Sequence, residues 1–164
     1  MPLWTIYHSD SIFKDDSTTV PLADAITKLH VREIGFPAFY VVTIFVPVKS
    51  GKLLVGGRNP EKPFVRISID QIALKMAQDL KAYKKWTAKI DEMLEPHIAA
   101  KWYDSEYHIN ETEKMLWKVN GTYAPPFGSV EEKKWIKANR VLPREVPYDQ
   151  IVGNVHGAAS RSKL

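Results

Sequence analysis

Apolar and polar positions follow one order twice along this chain. Pro2 to Ser9 (PLWTIYHS) puts Leu3, Thr5 and Tyr7 on one side and Trp4, Ile6 and His8 on the other, which predicts a strand covered on both faces. After a polar stretch, Asp10 to Thr19, the residues Leu22, Ile26, Leu29 and Val31 recur at near-helical spacing over Val20 to Glu33. Pro21 suits the first turn of that helix, and Gly35 and Pro37 stop it. Phe39 to Val46 is β-branched and aromatic and predicts a second strand. Lys52 to Val55 reads as a short strand, followed by turns at Gly56-Gly57 and Asn59-Pro60. Phe64 to Ile69 (FVRISI) predicts a third major strand, with Asp70 as cap of a long helix, Gln71 to Glu95. Its apolar face is Ile72, Met76, Leu80, Tyr83, Trp86, Ile90 and Leu94. Lys101 to Asn110 predicts a fourth strand.

The order is β-α-β twice, over about residues 2–50 and 62–111, with Pro2 and Pro63 opening the two units. Short strands joined through a helix normally lie parallel. The expected fold is therefore α/β (α+β): a fused pair of β-α-β units forming a four-stranded core sheet with two helices on one face. One domain spans residues 1–164. The extension 112–164 contains a short helix, Ser129 to Arg140, with Ser129 as cap and Glu132 at the capping-box position. The rest of it is expected to wrap the surface or a neighbouring subunit.

Composition narrows the chemistry. The chain has no cysteine, which excludes disulfides, thiolate catalysis and cysteine-held zinc. The net charge of +4 is spread thinly, with pairs at Lys84-Lys85 and Lys133-Lys134, so no nucleic acid is expected as a partner. No apolar run approaches the ~18–20 residues that cross a bilayer, so no membrane is expected either. The last three residues, Ser162-Lys163-Leu164, form the address read by the peroxisomal import receptor. Peroxisomal import is the expectation, with the cytoplasm as the location otherwise.

An ordered set of short features resembles the tautomerase superfamily, and within it the cis-3-chloroacrylic acid dehalogenases and their fungal relatives. Pro2 follows Met1; Ala25-Ile26-Thr27-Lys28-Leu29-His30 resembles that group's AIT-x-x-H; Gly56-Gly57 precedes the second unit. The stretch Gly121 to Gly128 loosely resembles its closing G-x-x-x-P-x-P-G. The resemblance covers residues 2 to about 137. It implies a trimer and a catalytic amino-terminal proline, here Pro2 freed by loss of Met1. Such an amine, normally titrating near ~7.7–8.0, falls toward neutrality in apolar surroundings and then accepts a proton from carbon beside a carbonyl.

The resemblance assigns His30 to the substrate carboxylate. Arg66, in the strand opening the second unit, is a candidate for the same anion. In Tyr103 to Asn110 (YDSEYHIN), Asp104, Glu106 and His108 share one face, and a carboxylate two residues from an imidazole suits a proton relay. An ungapped match puts His108 where the dehalogenases have a water-activating tyrosine, whereas a shifted one puts Tyr103 there. The catalytic candidates are thus Pro2, His108 and Glu106, and the substrate-binding candidates His30, Arg66, Tyr103 and Glu111. The dehalogenases' arginine pair is missing from Ile69-Asp70-Gln71-Ile72-Ala73, and their late glutamate falls near Val119, with Glu111 and Glu113 as nearby substitutes. The expected function is tautomerisation of a small 2-oxo acid or enol, without metal or cofactor. The alternatives are hydration, decarboxylation or dehalogenation of an unsaturated acid, and a non-catalytic binding or assembly protein.

Overall fold

The computed structural model describes residues 1–72 and 79–143. Four strands, β1 (Pro2–Ser9), β2 (Val42–Val48), β3 (Phe64–Gln71) and β4 (Asp104–Glu111), form one sheet in the order β2-β1-β3-β4. β1 with β2 and β3 with β4 run parallel, and β1 with β3 antiparallel. This is the predicted pair of β-α-β units. Two helices, α1 (Asp16–Ile34) and α2 (Leu80–Leu94), cross over between the parallel partners, and α3 (Val130–Ala138) follows. No helix among the described residues is long and apolar enough to cross a membrane.

Period two decides which side chains the helices cover. Trp4, Ile6 and His8 of β1 and Val65, Ile67 and Ile69 of β3 are buried against Leu22, Ile26 and Leu29 of α1 and Trp86, Ile90 and Leu94 of α2. The other face of β1 is only partly covered in the protomer, with Tyr7 exposed, so the expectation of two covered faces does not hold there. Val31 and Leu80, both assigned to apolar helix faces, are exposed. The α1 stripe closes instead on His30, which is fully buried.

Several boundaries differ for local physical reasons. α1 begins earlier than predicted because Asp15 caps it, accepting from Ser17 N–H at 3.0 Å. Pro21 consequently sits in the second turn. Gly35 ends the helix at φ 82°, giving its N–H to Val31 O at 3.0 Å. Phe39 belongs to a short 3-10 turn, Ala38–Tyr40, ahead of β2. Lys52–Val55 forms no strand, only an isolated bridge between Val55 and Arg58.

The largest correction concerns Asp70. It caps no helix: β3 continues through Gln71, with Asp70 opposite Leu3 on one side and Asn110 on the other, and Asn110 Nδ2 donates to its carboxylate at 3.1 Å. α2 instead starts after Asp79, which accepts from Ala82 N–H at 2.8 Å. At 19 residues against 15, α1 rather than α2 is the longest described helix. Met76 of the predicted stripe lies outside the described residues, as do Gly153–Arg161 and Ser162-Lys163-Leu164. β4 starts later than expected because Trp102 adopts a left-handed φ of 61° after the turn Ala99–Lys101.

Residues after β4 build a second, smaller core. Trp117, Ala124 and Trp135 pack on Phe36 and Tyr40, with Met1 and Ile72 against the cluster. Ser129 caps α3 as predicted, accepting from Glu132 N–H at 3.1 Å. The Glu132 carboxylate, however, accepts from Gly128 N–H at 2.6 Å rather than from the cap residue.

Candidate functional site

Strand register brings the amino terminus to one end of the sheet. Pro2 lies opposite Gln71, and Gln71 opposite Glu111, so the chain leaving β4 emerges beside the start of β1. The Met1 amine donates to Ile72 O at 3.1 Å, and Ile72 N–H donates back to Met1 O at 3.0 Å. Pro2 is buried at the first position of the central strand. Burial disfavours the ammonium form and lowers the amine's pKa to about 4; the positive charge of Lys114 adds to this and Glu132 opposes it.

His30 reaches the same region from α1. Trp4 Nε1 donates to its Nε2 at 3.0 Å. An indole can only donate, so Nε2 is the bare nitrogen and Nδ1 carries the hydrogen. Burial, then the charge of the amino terminus, lowers the His30 pKa to about 4. His30 is therefore a neutral donor near neutral pH. Its Nδ1 has no partner among the described residues, and neither has the buried Gln71 Oε1. Gln71 is the cross-strand partner of Pro2, on the same face. Two orphaned polar groups in a dry site ask for a ligand or a water.

Sequence reasoning missed Gln71, Lys114 and Glu132. The alternation Val65, Ile67, Ile69 extends to Gln71 and was a usable signal, but the helical reading of the following residues overrode it. Lys114 and Glu132 come from the segment after β4; nothing local marks Lys114, and the local signal at Glu132 is that of a capping box. Lys114 Nζ donates to Pro125 O at 2.8 Å, partly buried. Glu132 is 3% exposed. Burial raises its carboxyl pKa, while the Gly128 N–H, Lys114 and the amino terminus act in the opposite direction.

The remaining candidates are divided among other places. Arg66, Glu106 and His108 do come together, but on the sheet face away from the helices. Arg66 is ion-paired with Glu106, its guanidinium lies 3.4 Å from His108 Nδ1, and Ser68 Oγ and Asn110 Nδ2 lie 3.4 and 3.3 Å from His108 Nε2. Pro2, Trp4 and His30 are on the opposite face, so within one protomer this cluster does not stand beside Pro2. Tyr103 precedes β4 at the far end of the sheet, stacked edge-on against Phe13, roughly 26 Å along the strands from Pro2 at ~3.3 Å per residue. Glu111 is at the correct end; it lines an open cavity of about 490 Å³ between α2 and β4 with Tyr83, Trp86 and Tyr107. Among the described residues no group of His, Asp and Glu is placed to hold a metal ion.

Comparison with known proteins gives these features a context. The family model described as "Putative oxalocrotonate tautomerase enzyme" matches residues 1–140. Native RhCC from Rhodococcus jostii RHA1 is 34% identical over 87% of this chain and 99% of that chain, with a TM-score of 0.82. A protein of Aspergillus fumigatus, described as a probable enzyme, is 34% identical over 88% of this chain and 98% of its own, with a TM-score of 0.79. N1, a member of the cis-3-chloroacrylic acid dehalogenase family, shares the fold at 21% identity and a TM-score of 0.56, over 94% of this chain and 99% of that one. No curated protein matches the chain.

Proposed function

Because this chain belongs to the tautomerase superfamily, we propose that it is an enzyme that isomerises a small 2-oxo acid and its enol with the amine of Pro2, freed by removal of Met1. The observation that supports the reading is the dry end of the sheet where the chain begins, where burial lowers the pKa of the Met1 amine to about 4. Loss of Met1 would place the amine at Pro2, a buried position at the start of β1, where burial again favours the uncharged, basic form. In the forward direction it takes a proton from C3 of the keto acid; the C–H electron pair becomes the C2–C3 double bond, the C2=O π pair moves onto oxygen, and the proton held by the amine is passed to that oxygen through solvent, leaving the amine neutral while His30 keeps its own proton. The reverse steps return the keto form. His30 Nδ1–H is the donor suited to that oxygen, and Gln71 is suited to orient the amine. Water addition would need an activating side chain near Pro2, and Tyr103 is at the wrong end of the sheet for that role within one protomer.

The assembly belongs to the same proposal. β1–β4 leave one sheet face uncovered in the protomer, with Tyr7 at 40% and Ile44 at 45% exposure, and two outer strand edges. A trimer would cover them. Import into peroxisomes is also proposed, on Ser162-Lys163-Leu164 with a free carboxylate; a fluorescent fusion that stays diffuse with this ending intact would count against it.

The test of the chemistry begins with mass spectrometry of the amino terminus, followed by ketonisation of phenylenolpyruvate. Pro2→Ala and a form that retains Met1 should each lose ~10²–10⁴-fold in turnover, the usual contribution of a positioned general base. Full activity in either protein would remove Pro2 from the mechanism.

A further inference from the structure

The seam between α2 and β4 leads toward the proposed catalytic end. Tyr107 and Ile109 of β4 pack against the main core, which puts Glu111, two residues on, on the same helix-facing side of the sheet. Glu111, Gln71 and Pro2 are partners on neighbouring strands and form one rank across that side. At ~4.8 Å per strand spacing, Glu111 stands roughly 10 Å from Pro2. Away from this end, Tyr107 OH donates to Asp91 Oδ1 at 2.8 Å and ties the strand to the helix. Between that tie and Glu111, the seam opens into a cavity lined from α2 by Tyr83, Trp86 and Thr87, which share one helix face at spacings of three and four residues.

We propose that this cavity is a subsite for the apolar tail of the substrate, so that the enzyme takes 2-oxo acids with an extended alkyl chain; this rests on the reading of the site given above. The cavity holds about 490 Å³. That is an ordinary size for a small-molecule pocket, and a cavity on the order of 150 Å³ already holds a benzene ring. Its walls include the rings of Tyr83, Trp86 and Tyr107, with Ile109 beside them. The Tyr107 hydroxyl is taken up by Asp91, so that wall offers mainly ring carbon. Tyr83 keeps 42% of its surface exposed, an apolar area the protomer does not cover. Trp86 joins the cavity to the catalytic end. Its ring meets His30 at 5.5 Å between centroids, and His30 Nε2 accepts from Trp4, two residues from Pro2. Trp86 Nε1, His30 Nδ1 and Gln71 Oε1 are all buried without a hydrogen-bond partner among the described residues. Unanswered polar groups thus continue from the cavity wall to the cross-strand neighbour of Pro2, along the path a bound ligand would follow. With C3 of the acid at the Pro2 amine, a methyl group on C3 stays at that end. A longer chain passes Gln71 and lays its far carbons among the rings.

Exchange of the C3 hydrogens in deuterium oxide, followed by NMR, reads the proton transfer for 2-oxobutanoate, 2-oxohexanoate, 2-oxooctanoate and 2-oxodecanoate alike. Across this series kcat/KM should rise about threefold for each methylene that enters the cavity, a little less than full burial would give because the cavity is open on one side. Tyr83→Ala removes a wall and Thr87→Phe fills the space from the helix. Each should cut the ratio of kcat/KM for 2-oxodecanoate over 2-oxobutanoate by about tenfold, and thermal melting shows that each variant is folded. A ratio near one in the unaltered protein, or a large ratio that survives both substitutions, would overturn the proposal. Calorimetric binding of butanoate, octanoate and decanoate, which carry no keto group, separates this proposal from the tautomerase reading. Binding that tightens with chain length and is lost in Thr87→Phe, in a protein that exchanges no C3 hydrogen, would sink the activity and leave the subsite. Exchange that depends on Pro2 but has one rate constant at every chain length would do the reverse.

Discussion

His30 shows how much a single side chain depends on what folds around it. In the sequence it is a histidine near a helix end, open to capping, surface or ligand roles. In the structure the Trp4 indole settles its tautomer and burial its charge. The consequence for stability has a definite sign. With the folded pKa at about 4 and the ordinary value at 6.5, the unfolded chain binds the proton more readily between these values. Stability linked to His30 is thus complete above about pH 6.5 and falls as pH drops toward 4. The loss at pH 5 is on the order of 2 kcal/mol. The Met1 amine, where Met1 is retained, acts in the same direction over a wider range, from its ordinary 8.0 down to about 4. Glu132, raised by burial, acts oppositely and gains relative stability as pH falls. Urea midpoints at pH 7 and pH 5 measure the balance: the midpoint should fall, and His30→Gln should flatten the difference. A pH dependence unchanged in His30→Gln would mean that His30 is not held neutral.

At the level of elements, local signals placed most strands and helices and failed where a ladder competed with a cap. Asp70 followed by a helical pattern is a legitimate cap in isolation. It lost because β1 and β4 both offer β3 hydrogen bonds as far as Gln71, and those partners are distant in sequence. Asp79 does the capping. Asp79→Ala should therefore cost about 1 kcal/mol in urea unfolding, the usual value for a lost cap. Asp70→Ala removes a single exposed hydrogen bond to Asn110 and should cost less. The opposite ranking would restore the longer helix. The same competition hid Gln71 as a site residue, since a strand ending there turns its side chain toward the face that holds Pro2.

For the whole molecule, the decisive feature is an asymmetric sheet. One face is buried under α1 and α2, and the other carries the Arg66–Glu106–His108 cluster beside exposed Tyr7 and Ile44. The proposed trimer would take up this face and the outer edges of β2 and β4. Light scattering at micromolar concentration should give about three times the chain mass. A stable monomer would leave the face to solvent and overturn the proposed assembly. Charge substitutions at Tyr7 or Ile44 should weaken the assembly before they alter the helix-side core, which lies behind the sheet.

Residue order alone determined the paired β-α-β units, the alternation of side chains along β1, the Gly35 stop and the Ser129 cap, because each follows from periodicity or from chemistry within a few residues. It also singled out Pro2 and His30 through an ordered resemblance. Only the tertiary structure could separate the other candidates. His108 and Glu106 share a face with Arg66 through parallel register, and that face points away from Pro2. The segment after β4 reaches the amino terminus because Trp117, Ala124 and Trp135 close a second core over Phe36, Tyr40 and Met1. Burial of that kind is set by contacts between segments about a hundred residues apart, so no pattern within one segment could have announced it.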